Sequence, residues 1–146
     1  MDSDKITWCK EQNKGIELVE PNDNLCEAYF TESRDTLEMI NLDKDNKWNV
    51  IMGYYAAYNA FYALLMKAGI KCEIHDCTLE LLNLFEEFNS EEYDFLTTLK
   101  NKRIKNQYYL KREKLDNFEE LKKFIFKCLE IKEDFDISIW RKMLNG

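Results

Sequence analysis

Apolar positions along this chain recur at helical intervals, separated by short polar breaks. Leu25, Tyr29, Leu37 and Ile40 form one such stripe, ending at the polar run NLDKDNK. Pro21 stops what precedes it, and Asn24 with Glu27 has capping-box spacing. A second helix is predicted from about Lys47 to Ala68, with Gly69 as its left-handed C-cap. Tyr54, Tyr58, Tyr62 and Met66 follow one face of it, while Gly53, Ala57 and Ala60 mark a face open to close helix approach. KCEIHDC reads as a connection. Asp76 then serves as N-cap of a third helix carrying Leu81, Leu84, Phe85 and Phe88. Ser90, Glu91 and Glu92 suit the start of a fourth helix, which carries Tyr93, Phe95, Leu96, Leu99 and Arg103. Asp116 with Glu119 opens a fifth, whose core side is Phe118, Leu121, Ile125, Cys128 and Leu129.

The expected architecture is all-α, an antiparallel bundle of four to five helices in a single domain over 1–146. Residues 1–20, anchored by Ile6, Trp8, Ile16, Leu18 and Val19, read as an arm or short helix. The bundle proper covers 24–134, and 135–146, with ISIWRKML, reads as an amphipathic tail. Composition agrees, since 45% apolar and 34% charged residues describe a globular chain rather than a disordered one. Four glycines and one proline are too few for the turns of an all-β fold.

Trp48 to Met66 carries no charge over a length that could span a membrane. Asn49, Asn59, Gly53 and four tyrosines within it favour a buried central helix instead. The charged start MDSDKITWCKEQ is no secretory signal, so a cytoplasmic protein with its five cysteines reduced is the expectation.

Charge adds the first functional signal. The chain carries −7 overall, yet Lys100 to Lys114 holds seven basic residues and one acid. Leu96, Leu99, Arg103 and Gln107 share a helix face that runs from leucine to guanidinium to amide. Lys100, Lys102 and Lys105 lie off that face and are expected to stay solvated. Arginine's planar fork suits phosphate, and Tyr108 and Tyr109 offer rings for base stacking. The candidate nucleotide- or RNA-binding set is therefore Arg103, Lys102, Lys105, Gln107, Tyr108 and Tyr109. The alternative is a helix end whose lysines satisfy the dipole and whose tyrosines cap the core.

Other chemistry is thinner. Cys72-x2-His75-x-Cys77 is half a metal site, and no further cysteines stand at zinc spacing, so no metal or other cofactor is predicted. Adjacent Cys77, His75 and Asp76 are not expected to converge as a catalytic set. The Tyr54, Tyr58 and Tyr62 stripe reads as core or dimer interface.

YYAAYNAFYALLMKAGIKCEIHDCTLELL, followed by KRIKNQYY, resembles the HEPN domain family of bacteria and archaea over roughly Asn24 to Asp134. The resemblance implies a four- or five-helix bundle, commonly a homodimer, that handles nucleotides or RNA. Many members accompany a minimal nucleotidyltransferase, some as toxin and antitoxin. In the active toxins, Arg-x4-6-His motifs from two subunits form a metal-independent ribonuclease site. Arg103 matches the arginine, but Tyr108 stands where the histidine is expected, and no histidine follows His75. An imidazole exchanges protons near neutrality and a phenol does not. The resemblance therefore implies a binding module more than a nuclease. Tyr108 or Tyr109 lies near the tyrosine that some partners nucleotidylate, Tyr109 one residue short of it. A ribonuclease with Tyr108 or His75 in the histidine's place, or a dimeric scaffold docking an acidic protein, are the alternatives.

Overall fold

A computed structural model describes residues 4–44, 47–110 and 113–145. Lys111 and Arg112, two members of the basic segment, lie outside the described residues. The described elements are α1 (Asp4–Glu11), β1 (Glu17–Leu18), α2 (Asp23–Met39), α3 (Lys47–Ala68), β2 (Ile70–Lys71), α4 (His75–Leu84), α5 (Ser90–Tyr108), α6 (Phe118–Asp134) and α7 (Ile137–Leu144). The all-α reading holds, with a two-residue antiparallel ladder as the exception: Glu17 pairs with Lys71 and Leu18 with Ile70. A strand of two residues carries no periodicity for sequence to display.

α3 is the central helix. Val50, Tyr54, Ala57, Phe61, Leu64 and Leu65 are all buried, which fits an element apolar all round. It packs against α2, α5, α6 and α7. α2 runs antiparallel to it, since Lys67 pairs with Asp23 at 3.4 Å and Ser33 Oγ donates to the Ala56 carbonyl at 2.6 Å. At Gly53 an added Cβ would lie 3.1 Å from a Leu115 methyl and 3.5 Å from Leu121 on α6. No described helix is long and apolar enough to cross a membrane.

The helix boundaries follow the apolar pattern better than the caps do. α3 begins and ends where expected, and Gly69 adopts φ 74°. α2 is capped by Asn22, which accepts from the Leu25 amide, and not by Asn24. α5 begins at Ser90 as expected, with Glu91 and Glu92 in its first turn, and Asn89 with Glu92 forms its capping box. Asp76 is inside α4 rather than its cap, and α6 starts after Asn117 without a side-chain cap. Asp116 is instead drawn to Lys102 at 3.2 Å. A carboxylate with a nearby ammonium has a stronger partner than a backbone amide, so a capping residue near a cation is a weak predictor.

The ends of the chain belong to the core. Trp140 on α7 is 1% exposed and stacks on Phe85 with ring centroids 3.9 Å apart. Arg141 Nη1 donates to the Val19, Ala68 and Gly69 carbonyls at 2.8, 2.9 and 3.0 Å. A cation on the terminal carbonyls of α3 complements that helix end. The 135–146 segment is thus a packed helix holding the α3 exit. At the other end, Cys9 on α1 is disulfide-bonded to Cys77 on α4, which corrects the expectation of five reduced thiols. Cys26, Cys72 and Cys128 are free and buried.

Candidate functional site

Three helices meet where the basic segment begins. α3 contributes Tyr54, Tyr55 and Tyr58, α4 its first-turn residues His75 and Asp76, and α5 Lys100, Arg103 and Gln107. Leu96 and Leu99 are buried on the same face of α5, so Arg103, one turn further on, is carried against α3. Its guanidinium carbon lies 5.0 Å from the Tyr54 ring centroid and 5.5 Å from that of Tyr55. Arg103 Nη1 donates to the Tyr55 hydroxyl at 3.0 Å and to Gln107 Oε1 at 3.4 Å.

His75 stands against the same two tyrosines. Its ring centroid is 5.8 Å from that of Tyr54 and 6.4 Å from that of Tyr55. It stacks on Tyr58 at 4.2 Å, and its Nδ1 lies 2.7 Å from the Tyr54 hydroxyl. Tyr58 in turn donates to Thr78 Oγ1 at 3.1 Å. Burial, followed by the positive charges of Arg103 and Lys100, lowers the His75 pKa below its ordinary 6.5, against a smaller opposing effect of Asp76. The imidazole is therefore neutral at neutral pH. Burial chiefly, and then Tyr58, raises the Tyr54 phenol, against the pull of Arg103, so it keeps its proton.

Lys100 and Lys102 are half-buried rather than solvated, Lys105 stays exposed, and each of the three has an acidic partner. Lys100 is ion-paired and hydrogen-bonded with Asp76, whose carboxyl it holds below the usual range. Lys102 reaches Asp116 at 3.2 Å and the Lys114 carbonyl at 3.0 Å, beside a cleft of about 360 Å³ also lined by Asp94 and Glu120. Lys105 pairs with Glu113 at 3.4 Å. Buried Asn106 ties α5 to Glu113, accepting from the Glu113 amide at 2.7 Å and donating to its carbonyl at 3.2 Å.

Arg103 differs. Among the described residues it makes no ion pair, and its recorded partners, Tyr54, Tyr55 and Gln107, are neutral. Its Nε is buried without a hydrogen-bond partner. Tyr108 and Tyr109 are 66% and 69% exposed, and no aromatic or cation contact among the described residues includes them. The structure thus brings His75 to Arg103, carries Lys102 and Lys105 to acidic partners, and leaves Tyr108 and Tyr109 in solvent.

Sequence reasoning missed Tyr54, Tyr55 and the Lys100–Asp76 pair. Tyr54 was legible as part of the Tyr54, Tyr58 and Tyr62 stripe, which is buried, whereas half-buried Tyr55 lay outside it. Their second role needs the cation and the imidazole that other helices supply. No group of three or more His, Cys, Asp or Glu placed to hold a metal occurs among the described residues, and Cys77 of the Cys72/His75/Cys77 set is spent in the disulfide. Chemically, the corner offers one guanidinium without a counter-charge and one neutral imidazole, both rigidly backed by aromatic rings. That is an arrangement for receiving an anion. No protein-family model, curated protein or solved structure matches this chain.

Proposed function

We propose that this chain is a HEPN-type module that binds a nucleotide or RNA through a phosphate held at Arg103, without strong catalysis of its own. The observation that carries this is the charge state of one corner. Lys100, Lys102 and Lys105 each have a carboxylate partner, and Arg103 has none among the described residues. A half-buried guanidinium with a dry, unpartnered Nε is costly in the free protein. A phosphate oxygen at the accessible edge of the guanidinium would meet the charge. The Tyr-Tyr-Ala helix and the Arg-x4-Tyr spacing support the family reading. With it come a homodimer and a minimal nucleotidyltransferase as partner.

The test is fluorescence-polarisation binding of a short single-stranded RNA to wild type and Arg103→Ala across a salt series, with the same samples run on a gel in EDTA. Binding that weakens with salt and drops about tenfold or more in the variant, without cleavage, supports the reading. Competition by mononucleotide places the ligand in a small site. No binding to either probe sinks it.

A second reading has one observation in its favour. His75 and Arg103 share Tyr54, so a neutral imidazole stands where a ribonuclease with His75 as base would want one. Tyr108, the other substitute, has no recorded contact with Arg103. Cleavage in EDTA that is lost on both Arg103→Ala and His75→Ala would favour this reading over binding alone.

A further inference from the structure

His75 is the chain's single histidine, and the hydrogen bond on its Nδ1 determines what its other nitrogen can do. Tyr54 is fully buried, and Nδ1 is the one hydrogen-bond partner recorded for its hydroxyl. A phenol has a single hydrogen, and a buried hydroxyl hydrogen without an acceptor costs roughly 1–3 kcal/mol. The hydroxyl hydrogen therefore lies on the line to Nδ1, and Nδ1 presents a lone pair. A neutral imidazole carries one N–H, so that hydrogen sits on Nε2. Nε2 has no recorded partner and is not among the buried polar atoms left without one, so it reaches solvent.

The alternatives fail on the same geometry. A hydrogen on Nδ1 would have to donate to the Tyr54 oxygen and turn the phenol's own hydrogen into a buried site with no recorded acceptor. The ring cannot easily flip to exchange its nitrogens either. Tyr58 stacks on it within 12° of parallel, and Tyr55 stands edge-on at 87°.

We propose that Tyr54 is a positioning residue that holds His75 as an Nε2–H donor, so that the imidazole gives a hydrogen bond to the anion at Arg103 and takes no proton from a ribose hydroxyl. This rests on the phosphate-binding reading, and it separates that reading from the ribonuclease. With Nδ1 occupied and Nε2 already protonated, the neutral ring has no lone pair to offer a substrate. The site is then a two-donor cradle, with a guanidinium and an imidazole N–H converging from α5 and α4 on a phosphate oxygen.

A single histidine makes the test unambiguous. Long-range 15N–1H correlation of the labelled protein, at a pH above 6.5, reads the tautomer directly. The expected result is a pyridine-like Nδ1 and a pyrrole-like Nε2 in wild type. In Tyr54→Phe, which keeps the ring and removes the hydroxyl, both shifts should move towards the averaged values of an unrestrained imidazole. A wild-type Nδ1–H tautomer, or unchanged shifts in Tyr54→Phe, would overturn the assignment. If Tyr54→Phe does not fold, the wild-type spectrum still decides the tautomer. Adding inorganic phosphate and then single-stranded RNA should shift the Nε2–H signal. A tautomer as assigned whose Nε2–H ignores both would sink the phosphate reading, and the donor role with it, leaving only Tyr54's hold on the ring. Cleavage of RNA dependent on His75 would also overturn the donor assignment.

Discussion

Replacing Arg103 with alanine should change stability little while weakening ligand binding, and the site's geometry allows the first half to be sized. The substitution loses cation–ring contacts at 5.0 and 5.5 Å, worth roughly 0.5–1 kcal/mol each in a half-buried setting. It also loses a charge-assisted hydrogen bond to Tyr55 of 3.0 Å, worth roughly 1.5–3 kcal/mol. Against this, it relieves a buried Nε with no partner, which costs roughly 1–3 kcal/mol, and a half-buried charge with no counter-ion. The two sides nearly cancel, so the net change should stay within about 1–2 kcal/mol. Urea denaturation followed by tyrosine and tryptophan fluorescence measures this, and the thermal midpoint should move by only a few degrees. RNA affinity should fall about tenfold or more, the value of one charged hydrogen bond. Destabilisation above about 3 kcal/mol would refute the reasoning, because it would make Arg103 an anchor of the fold whose unpartnered Nε costs nothing.

Other consequences follow from neighbouring features. Because the folded His75 pKa lies below 6.5, the unfolded chain binds the extra proton first. Its contribution is complete above 6.5 and is lost as pH falls through the depressed folded value. Burial chiefly, then Arg103 and Lys100 from α5, drives this and Asp76 on α4 opposes it, so an NMR titration of the single imidazole should show a midpoint below 6.5. His75→Phe should flatten that part of the pH–stability curve. Gly69→Ala should destabilise by roughly 2 kcal/mol or more, since φ is 74° and the new Cβ would lie 2.3 Å from the Val19 carbonyl oxygen. An unchanged urea midpoint for that variant would contradict the described α3 exit. Reduction of Cys9–Cys77 opens a loop with a sequence separation of 68, worth about 4 kcal/mol of denatured-state entropy. Thermal melts with and without dithiothreitol should therefore differ by many degrees, and equal melts would mean that the bridge adds no stability.

Helix existence and extent were legible because they depend on interactions within a few residues. α3 could be drawn from Lys47 to Ala68 because apolar residues cover every face and glycine alone takes the left-handed exit easily at Gly69. The face carrying Leu96, Leu99, Arg103 and Gln107 was equally plain, since helical spacing alone puts those residues in line. Caps were less legible, because Asn22, Asn24, Asp76 and Asp116 are chemically equivalent candidates until their rivals are known. Lys100 and Lys102 claim two of the carboxylates.

What only the tertiary structure decided is how residues distant in the chain meet. His75 and Arg103 come together because α4 and α5 both pack near Tyr54 and Tyr55, the disulfide because α1 packs on α4, and the buried Trp140 because α7 closes over Phe85. Such meetings are single contacts between helices, and no period or spacing announces them. The basic segment shows the difference most clearly. Sequence alone counts seven positive charges there, while the fold supplies acids to Lys100, Lys102 and Lys105 and leaves Arg103 among neutral rings. Charge composition is a property of the chain, but whether a charge has a partner is a property of the packing.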